Sequence, residues 1–154
     1  MKNGNTIRQK TALFAGIFFL LCNIVFIFVS QADEITIIGN KDVPVNSLNI
    51  NEIRSIFLGE KIKWDNTKKI TFVILKTKTH ENFLRKYLGT TPAQYRNYWR
   101  KMVFTGKSKS PRALENPGEL IDYISDTSGS VSYIHSGDYN NKVKNISVEK
   151  GAYK

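Results

Sequence analysis

The sequence has almost no cysteine: the single one among 154 residues, Cys22, lies inside an apolar run near the N-terminus. Disulfides and thiol chemistry are therefore excluded from the rest of the chain. Histidine is nearly as scarce, because the two present, His80 and His135, are 55 positions apart without a cysteine or carboxylate cluster. A metal site is not expected. The carboxylates are unpaired and no serine sits in a nucleophile elbow, so the pattern favours a protein that is not an enzyme and needs no cofactor.

Acidic residues are absent from the first 32 positions, where three basic residues precede an apolar run over Leu13–Val29. The small residues of Ser30-Gln31-Ala32 then suit a cleavage site. This pattern predicts a signal peptide over 1–32, export to the periplasm, and one domain over 33–154. The apolar run of 17 residues also reaches the short end of a membrane span, so an uncleaved inner-membrane anchor is the alternative.

Negative charge is also in deficit beyond the signal segment. Three of the 23 basic residues and none of the 13 acidic ones lie in positions 1–32, so 20 basic residues face 13 acidic ones in the predicted domain. Such a surface suits an anionic small ligand, an acidic envelope polymer, membrane headgroups or an acidic protein partner. Nucleic acid is not an expected partner, because the chain is predicted to be exported.

The remaining chain alternates short apolar runs with helical periodicity and capping signals. Apolar runs predict strands over Glu34–Gly39, Ile70–Leu75, Gly129–Ile134 and Val143–Val148. Helices are predicted after the capping residues Asn49, Thr77 or Thr79, Thr91 and Asn116. Phe104–Arg112 is predicted to be a mobile basic loop. The order β-α-β-α-α-α-β-β indicates a single α/β layer structure.

The turn between the second strand and the second helix is the best candidate anion site. A helix N-terminus presents unpaired N–H groups and favours negative charge. The candidate ligand-binding residues are Lys76, Thr77, Lys78, Thr79 and His80, and Lys107 of the basic loop. Lys107, Lys109 and Arg112 could close over a ligand or dock a partner. The competing interpretation is an ordinary helix cap beside solvated lysines.

Several of these segments together resemble one protein family. Segment 47–61, SLNINEIRSIFLGEK, resembles the "S-L-x-x-x-E-L-x-x-I-F-L-G-K" helix of phosphate-type periplasmic substrate-binding proteins of ABC transporters. Trp64 matches the tryptophan that follows that helix. Gly129–Ile134 resembles their "G-A-I-G-Y-V" strand. Tyr98-Trp99 with 104–107 resembles the "Y-W…F-T-G-K" segment of a small single-domain subgroup.

The resemblance implies one lobe of the type 2 periplasmic-binding-protein fold, an α/β structure with a small mixed sheet flanked by about four helices. Complete members have two lobes that close on their ligand, and 33–154 would hold about one. The family binds phosphate partly through a Ser-Gly-Thr turn at a helix N-terminus. Lys76-Thr77-Lys78-Thr79-His80 occupies that place here and contains no Ser-Gly-Thr.

Two functions remain open at this point. The first is a non-catalytic exported domain of the substrate-binding class that binds phosphate or another small oxyanion weakly, in connection with ABC-type transport. The second is a protein-interaction module of the cell envelope that has lost its ligand and uses the basic loop. A homodimer that rebuilds a two-lobed cleft is compatible with the first function. An envelope protein or a transporter is the expected protein partner.

Overall fold

The computed structural model describes residues 34–149. The predicted signal peptide over 1–32 and the ends of the predicted domain, 33 and 150–154, lie outside the described residues. Asp33–Lys154 forms a compact unit of its own. Within 34–149, no helix is both long enough and apolar enough to cross a membrane.

The described chain forms one six-stranded mixed sheet and four α-helices, as the α/β prediction requires. The strands are β1 (Ile35–Gly39), β2 (Ser47–Leu48), β3 (Thr71–Leu75), β4 (Arg112–Leu114), β5 (Ser130–His135) and β6 (Lys144–Val148). The helices are α1 (Ile50–Phe57), α2 (Lys78–Phe83), α3 (Pro92–Phe104) and α4 (Pro117–Asp126). A π-helical turn over Leu84–Leu88 extends α2, and a 3-10 turn over Ser136–Asp138 follows β5.

Helix positions follow the capping signals closely. The Asn49 carboxamide accepts hydrogen bonds from the backbone of Asn51 and Glu52 at the start of α1, and the Glu52 carboxylate accepts one in return. Thr91 and Gln94 form the same reciprocal arrangement before α3. These caps satisfy N–H groups that the helix itself leaves unpaired. The predicted helix starts are confirmed at both places.

Two short strands were not predicted. β2 has two residues and pairs in parallel with β6, while β4 has three and pairs in parallel with β3. Runs of this length are too short to show a period of two, and they exist because a neighbouring strand supplies their hydrogen bonds. The prediction of a loop over Phe104–Arg112 was therefore wrong at both ends, because Phe104 is the last residue of α3 and Arg112 is the first residue of β4. Arg112 begins β4, and its guanidinium lies 4.4 Å from the centre of the Tyr123 ring.

The sheet order is β2-β6-β1-β5-β3-β4. β1 is antiparallel to both of its neighbours, whereas β3 is parallel to β5 and to β4. The carboxyl ends of β3, β4 and β5 therefore meet at one edge of the sheet. In open α/β sheets this edge is where ligands bind.

Helices cover both faces of the central strand β5. Its Ser130 hydroxyl donates to the Ile124 carbonyl in α4, while its Tyr133 ring stacks on Phe83 in α2. Even and odd residues of a strand point to opposite faces, so α4 and α2 lie on opposite sides of the sheet. This explains why five of the six residues of β5 are buried.

Candidate functional site

The predicted turn lies at the carboxyl end of β3, as the strand-then-helix pattern requires. After Leu75, the Lys76 N–H donates to the Leu114 carbonyl of β4 at 2.8 Å. Thr77 is the N-cap of α2, with extended backbone, and its carbonyl accepts from the His80 N–H at 3.0 Å. The sheet edge and the start of α2 are therefore tied together by backbone bonds.

The side-chain cap predicted from Thr77 or Thr79 is not formed. The Thr77 hydroxyl makes no capping hydrogen bond, and within residues 34–149 its buried oxygen has no hydrogen-bond partner. Thr79 lies inside α2 rather than at its start. The start of α2 is therefore positioned by backbone hydrogen bonds to β4 and within the turn. The Thr77 hydroxyl does not contribute to capping the helix.

His80 is the most constrained residue of the turn. Its Nδ1 is hydrogen-bonded to the hydroxyl of Tyr133, a side chain with 0% exposure. Burial raises the pKa of Tyr133 well above its ordinary value, so the phenol keeps its proton. The phenol can therefore donate to Nδ1, which accepts in the Nε2–H tautomer of the imidazole.

The protonation of His80 follows from its surroundings. Burial, and then the positive charge of Arg96, lower the pKa of His80. The imidazole is therefore neutral at pH 7, and we assign its proton to Nε2, the tautomer in which Nδ1 accepts from Tyr133. His80 thus presents an N–H donor, not a positive charge, to the edge of the sheet.

A groove of about 700 Å³ runs between α3 and the β3–β4 edge, and we call it the α3 groove. This volume lies in the ordinary range of small-ligand pockets, about 300–1,000 Å³. It is lined by Ile74, Lys76, His80, Pro92, Tyr95, Arg96, Trp99, Arg100, Val103, Phe104, Ser110, Pro111 and Ala113. Its floor is apolar and aromatic, it includes Lys76 and two arginines, and no acidic residue lines it.

The structure brings together only part of the predicted site. Lys76 and His80 line the α3 groove, but Thr77, Lys78 and Thr79 do not. Lys78 is exposed on α2. Lys107 is exposed in the turn after α3, where its N–H donates to the Met102 carbonyl at 3.0 Å, and it does not line the groove.

Arg96 and Arg100 are groove residues that reasoning from the sequence missed. Both are exposed, and neither they nor Lys76 takes part in an ion pair within residues 34–149. A signal was available, because Pro92, Arg96, Arg100 and Phe104 follow each other at intervals of four and so share a helix face.

Four aromatic side chains, Trp64, Tyr95, Tyr98 and Trp99, serve mainly to hold the fold together. The Tyr95 and Tyr98 hydroxyls donate to the Phe57 and Leu58 carbonyls at 2.7 Å and so fasten α3 to α1. The Trp64 indole is buried and donates to the Gly129 carbonyl at 2.8 Å. Only Tyr95 and Trp99 also line the groove.

Within residues 34–149, no three histidine, cysteine, aspartate or glutamate side chains come together in a way that would hold a metal ion. The chemistry that the groove offers is therefore hydrogen bonding, positive charge and apolar contact. Positive charge and hydrogen-bond donors suit binding of an anion.

Comparison with known proteins shows the class of fold. No family model matches the chain, and no curated protein matches it. Solved structures do match it, and the matching proteins described below are phosphate receptors or phosphate-binding proteins. The chain has the α/β fold of phosphate-type substrate-binding proteins, and it corresponds to about one lobe.

Three of these structures illustrate the match. An ABC-type phosphate transport receptor from Vibrio cholerae aligns with a TM-score of 0.60 at 18% identity, over 77% of this chain and 47% of that protein. A phosphate ABC transporter substrate-binding protein from Clostridium perfringens, solved with bound phosphate, aligns with a TM-score of 0.61 at 18% identity, over 75% of this chain and 45% of that protein. A phosphate-binding protein from Stenotrophomonas maltophilia aligns with a TM-score of 0.59 at 15% identity, over 77% of this chain and 39% of that protein. The chain thus spans less than half the length of each.

Proposed function

We propose that this protein is a non-catalytic, exported lobe of the substrate-binding class that binds a small oxyanion, with phosphate as the first candidate, in connection with an ABC-type transporter. One observation carries the proposal: Lys76 and His80 of the predicted turn line the same groove as Arg96, and no acidic residue lines it. The fold supports it, since matching proteins are phosphate receptors.

The chemistry of these three side chains suits an oxyanion. Lys76 and Arg96 supply positive charge that no carboxylate within residues 34–149 neutralises. Neutral His80 supplies an N–H donor whose direction is fixed by the Tyr133 hydrogen bond. Charge-assisted hydrogen bonds of this kind are about twice as strong as neutral ones. The groove is open to solvent in this lobe, so we expect weak binding by residues 34–149 on their own.

The other predicted ligand residues have a smaller part in this proposal. Thr77 contributes a hydroxyl without a protein partner, and Thr79 and Lys78 lie in the first turn of α2. Lys107 stays a predicted ligand residue, carried on the turn after α3. A second copy that completes the cleft also stays a prediction, and light scattering would show a monomer if it is wrong.

A thermal-shift titration with phosphate tests the proposal, on the compact unit Asp33–Lys154. Ligand that binds only the folded state raises stability by RT ln(1 + [L]/Kd), and sodium chloride at equal ionic strength controls for screening. We expect a saturable shift that Lys76→Gln reduces. Lys101→Gln, which removes an exposed charge of α3 outside the groove, should leave it intact. The absence of a shift with phosphate and sulfate would contradict oxyanion binding.

A further inference from the structure

We propose that the α3 groove is also a docking site for an acidic, amphipathic segment of another protein. This goes beyond oxyanion binding, because the end of the groove concerned is formed by Arg100, Val103 and Phe104, away from the turn after β3. The argument rests on the shape of the groove, its exposed apolar side chains and its charge.

The groove follows the whole of α3. Its lining residues on this helix are spaced at i, i+3, i+4, i+7, i+8, i+11 and i+12 from Pro92 to Phe104. The twelve steps from Pro92 to Phe104, at about 1.5 Å each, make the stripe about 18 Å long. This length accommodates about five extended residues or about three helical turns of a partner. A compact ligand at Lys76 and His80 would leave the far end of the stripe uncovered.

The far end carries two of the four large hydrophobic side chains that are exposed within residues 34–149. Phe104 is 91% exposed and Val103 is 46% exposed, although both lie on the groove. Trp99, one helical turn before Val103, is buried and meets the buried Tyr95 ring edge to face, so the groove has an aromatic base. Aromatic and arginine side chains around such a base are the groups that most often dominate binding energy at protein interfaces.

The positive charge of the α3 groove favours an acidic partner. Lys76, Arg96 and Arg100 lie along the groove without an ion-pair partner in residues 34–149, and no acidic residue lines it. Arg96 and Arg100 are one helical turn apart, so a partner with carboxylates at a similar spacing would meet both. Within residues 34–149, the Arg100 guanidinium donates only to the neutral Asn97 side chain, at 2.9 Å.

The same charge argues against this chain as its own occupant. Residues 1–33 contain three basic residues and one acidic one, and 150–154 contain two lysines and no acid. Neither segment complements the groove. In a symmetric dimer through this face, each groove would meet an identical groove, so the arginines would oppose one another. The complementary occupant is therefore a different, acidic protein segment.

Panning of a displayed random 12-residue peptide library against Asp33–Lys154 tests this inference. We expect enrichment of peptides that combine aspartate or glutamate with aromatic or leucine residues. Fluorescence anisotropy on a selected peptide should show at least fivefold weaker binding to Arg100→Glu and to Phe104→Ala. Replacement of the peptide's acids by their amides should weaken binding at least tenfold.

The matched control is Lys101→Glu, the same charge reversal at the next residue of α3 but outside the groove. It should change affinity less than twofold. NMR signals of 99–104 and 110–113 should shift in the wild-type protein on titration with the peptide. Selection of no peptides, or of neutral or basic ones, would overturn the inference, as would equal losses for Arg100→Glu and Lys101→Glu. These results are independent of any phosphate-induced thermal shift.

Discussion

The Trp64 indole and the Gly129 carbonyl are joined by a hydrogen bond of 2.8 Å across 65 positions of the chain. The same carbonyl accepts from the Thr71 N–H at 3.3 Å, at the start of β3. Gly129 immediately precedes β5, so the two bonds fix where β3 and β5 begin relative to each other. The carboxyl edge of the sheet, and the groove beside it, depend on that register.

Gly129 should tolerate alanine much less well than Gly89. Both have positive φ, of 67° and 66°, which costs an alanine about 1–2 kcal/mol. A Cβ on Gly129 would also lie 2.3 Å from the Lys69 carbonyl oxygen, whereas one on Gly89 meets nothing within 4 Å. We expect Gly129→Ala to lose about 3 kcal/mol or more and Gly89→Ala about 1 kcal/mol in urea denaturation. Equal losses would show that the contact with Lys69 relaxes freely.

Replacement of Trp64 by phenylalanine should cost more than the same change at Trp99. Trp64→Phe removes a buried hydrogen bond as well as volume, for a loss of about 2 kcal/mol. The Trp99 indole N–H is buried and makes no hydrogen bond of ordinary geometry within residues 34–149, so Trp99→Phe loses only packing. Urea unfolding followed by circular dichroism gives both values. A larger loss at Trp99 would contradict the structural role of the Trp64 bond.

Asp42 should make the free energy of unfolding depend on pH in the acidic range. Hydrogen bonds from Ser128, and then from the Gly129 N–H and Lys68, lower its pKa to about 2 although partial burial opposes them. A lowered carboxyl pKa contributes stability above the unfolded value of about 4, and that stability is lost as pH falls toward 2. Because the side chain is 36% exposed, we expect only about 1 kcal/mol.

Asp42→Asn should therefore destabilise the protein at pH 7 and flatten its unfolding free energy between pH 4 and pH 2. Denaturant melts at four or five pH values would measure the slope. An unchanged slope in Asp42→Asn would argue against this role.

His80 should titrate below pH 6.5 in the folded protein. Its pKa is lowered by burial and then by Arg96, so the unfolded chain binds the proton more readily. The neutral His80 therefore makes its full contribution to stability above pH 6.5, and this contribution falls as the pH drops toward the folded pKa of His80. Arg96→Gln removes the second cause and should raise the pKa of His80, which stays below 6.5 because burial remains.

Long-range ¹H–¹⁵N NMR measures this titration directly, since only two histidines have to be assigned. At neutral pH the wild-type spectrum should show His80 as the Nε2–H tautomer. A His80 pKa at or above 6.5, or an Nδ1–H tautomer, would contradict the proposed hydrogen bond from Tyr133.

Local signals in the sequence determined most of the fold. Asn49, Thr91 and Asn116 cap helices where the pattern predicts them, because a capping hydrogen bond involves residues only two or three positions apart. The apolar run at Ile70–Leu75 is a strand covered on both faces. The turn that follows it lies at the sheet edge expected for a ligand. The resemblance to phosphate-type binding proteins agreed with the fold that the comparisons show.

The tertiary structure alone decided the composition of the site. Arg112 looked like part of a loop until β3 supplied the hydrogen bonds that make 112–114 a strand. That strand forms the second wall of the α3 groove, and only beside it do Arg96, Arg100 and Phe104 become parts of one surface. Contacts between segments distant in sequence leave no periodic signal in either segment. The sequence by itself therefore located the turn, and the packing of α3 against the β3–β4 edge determined which side chains share a site with it.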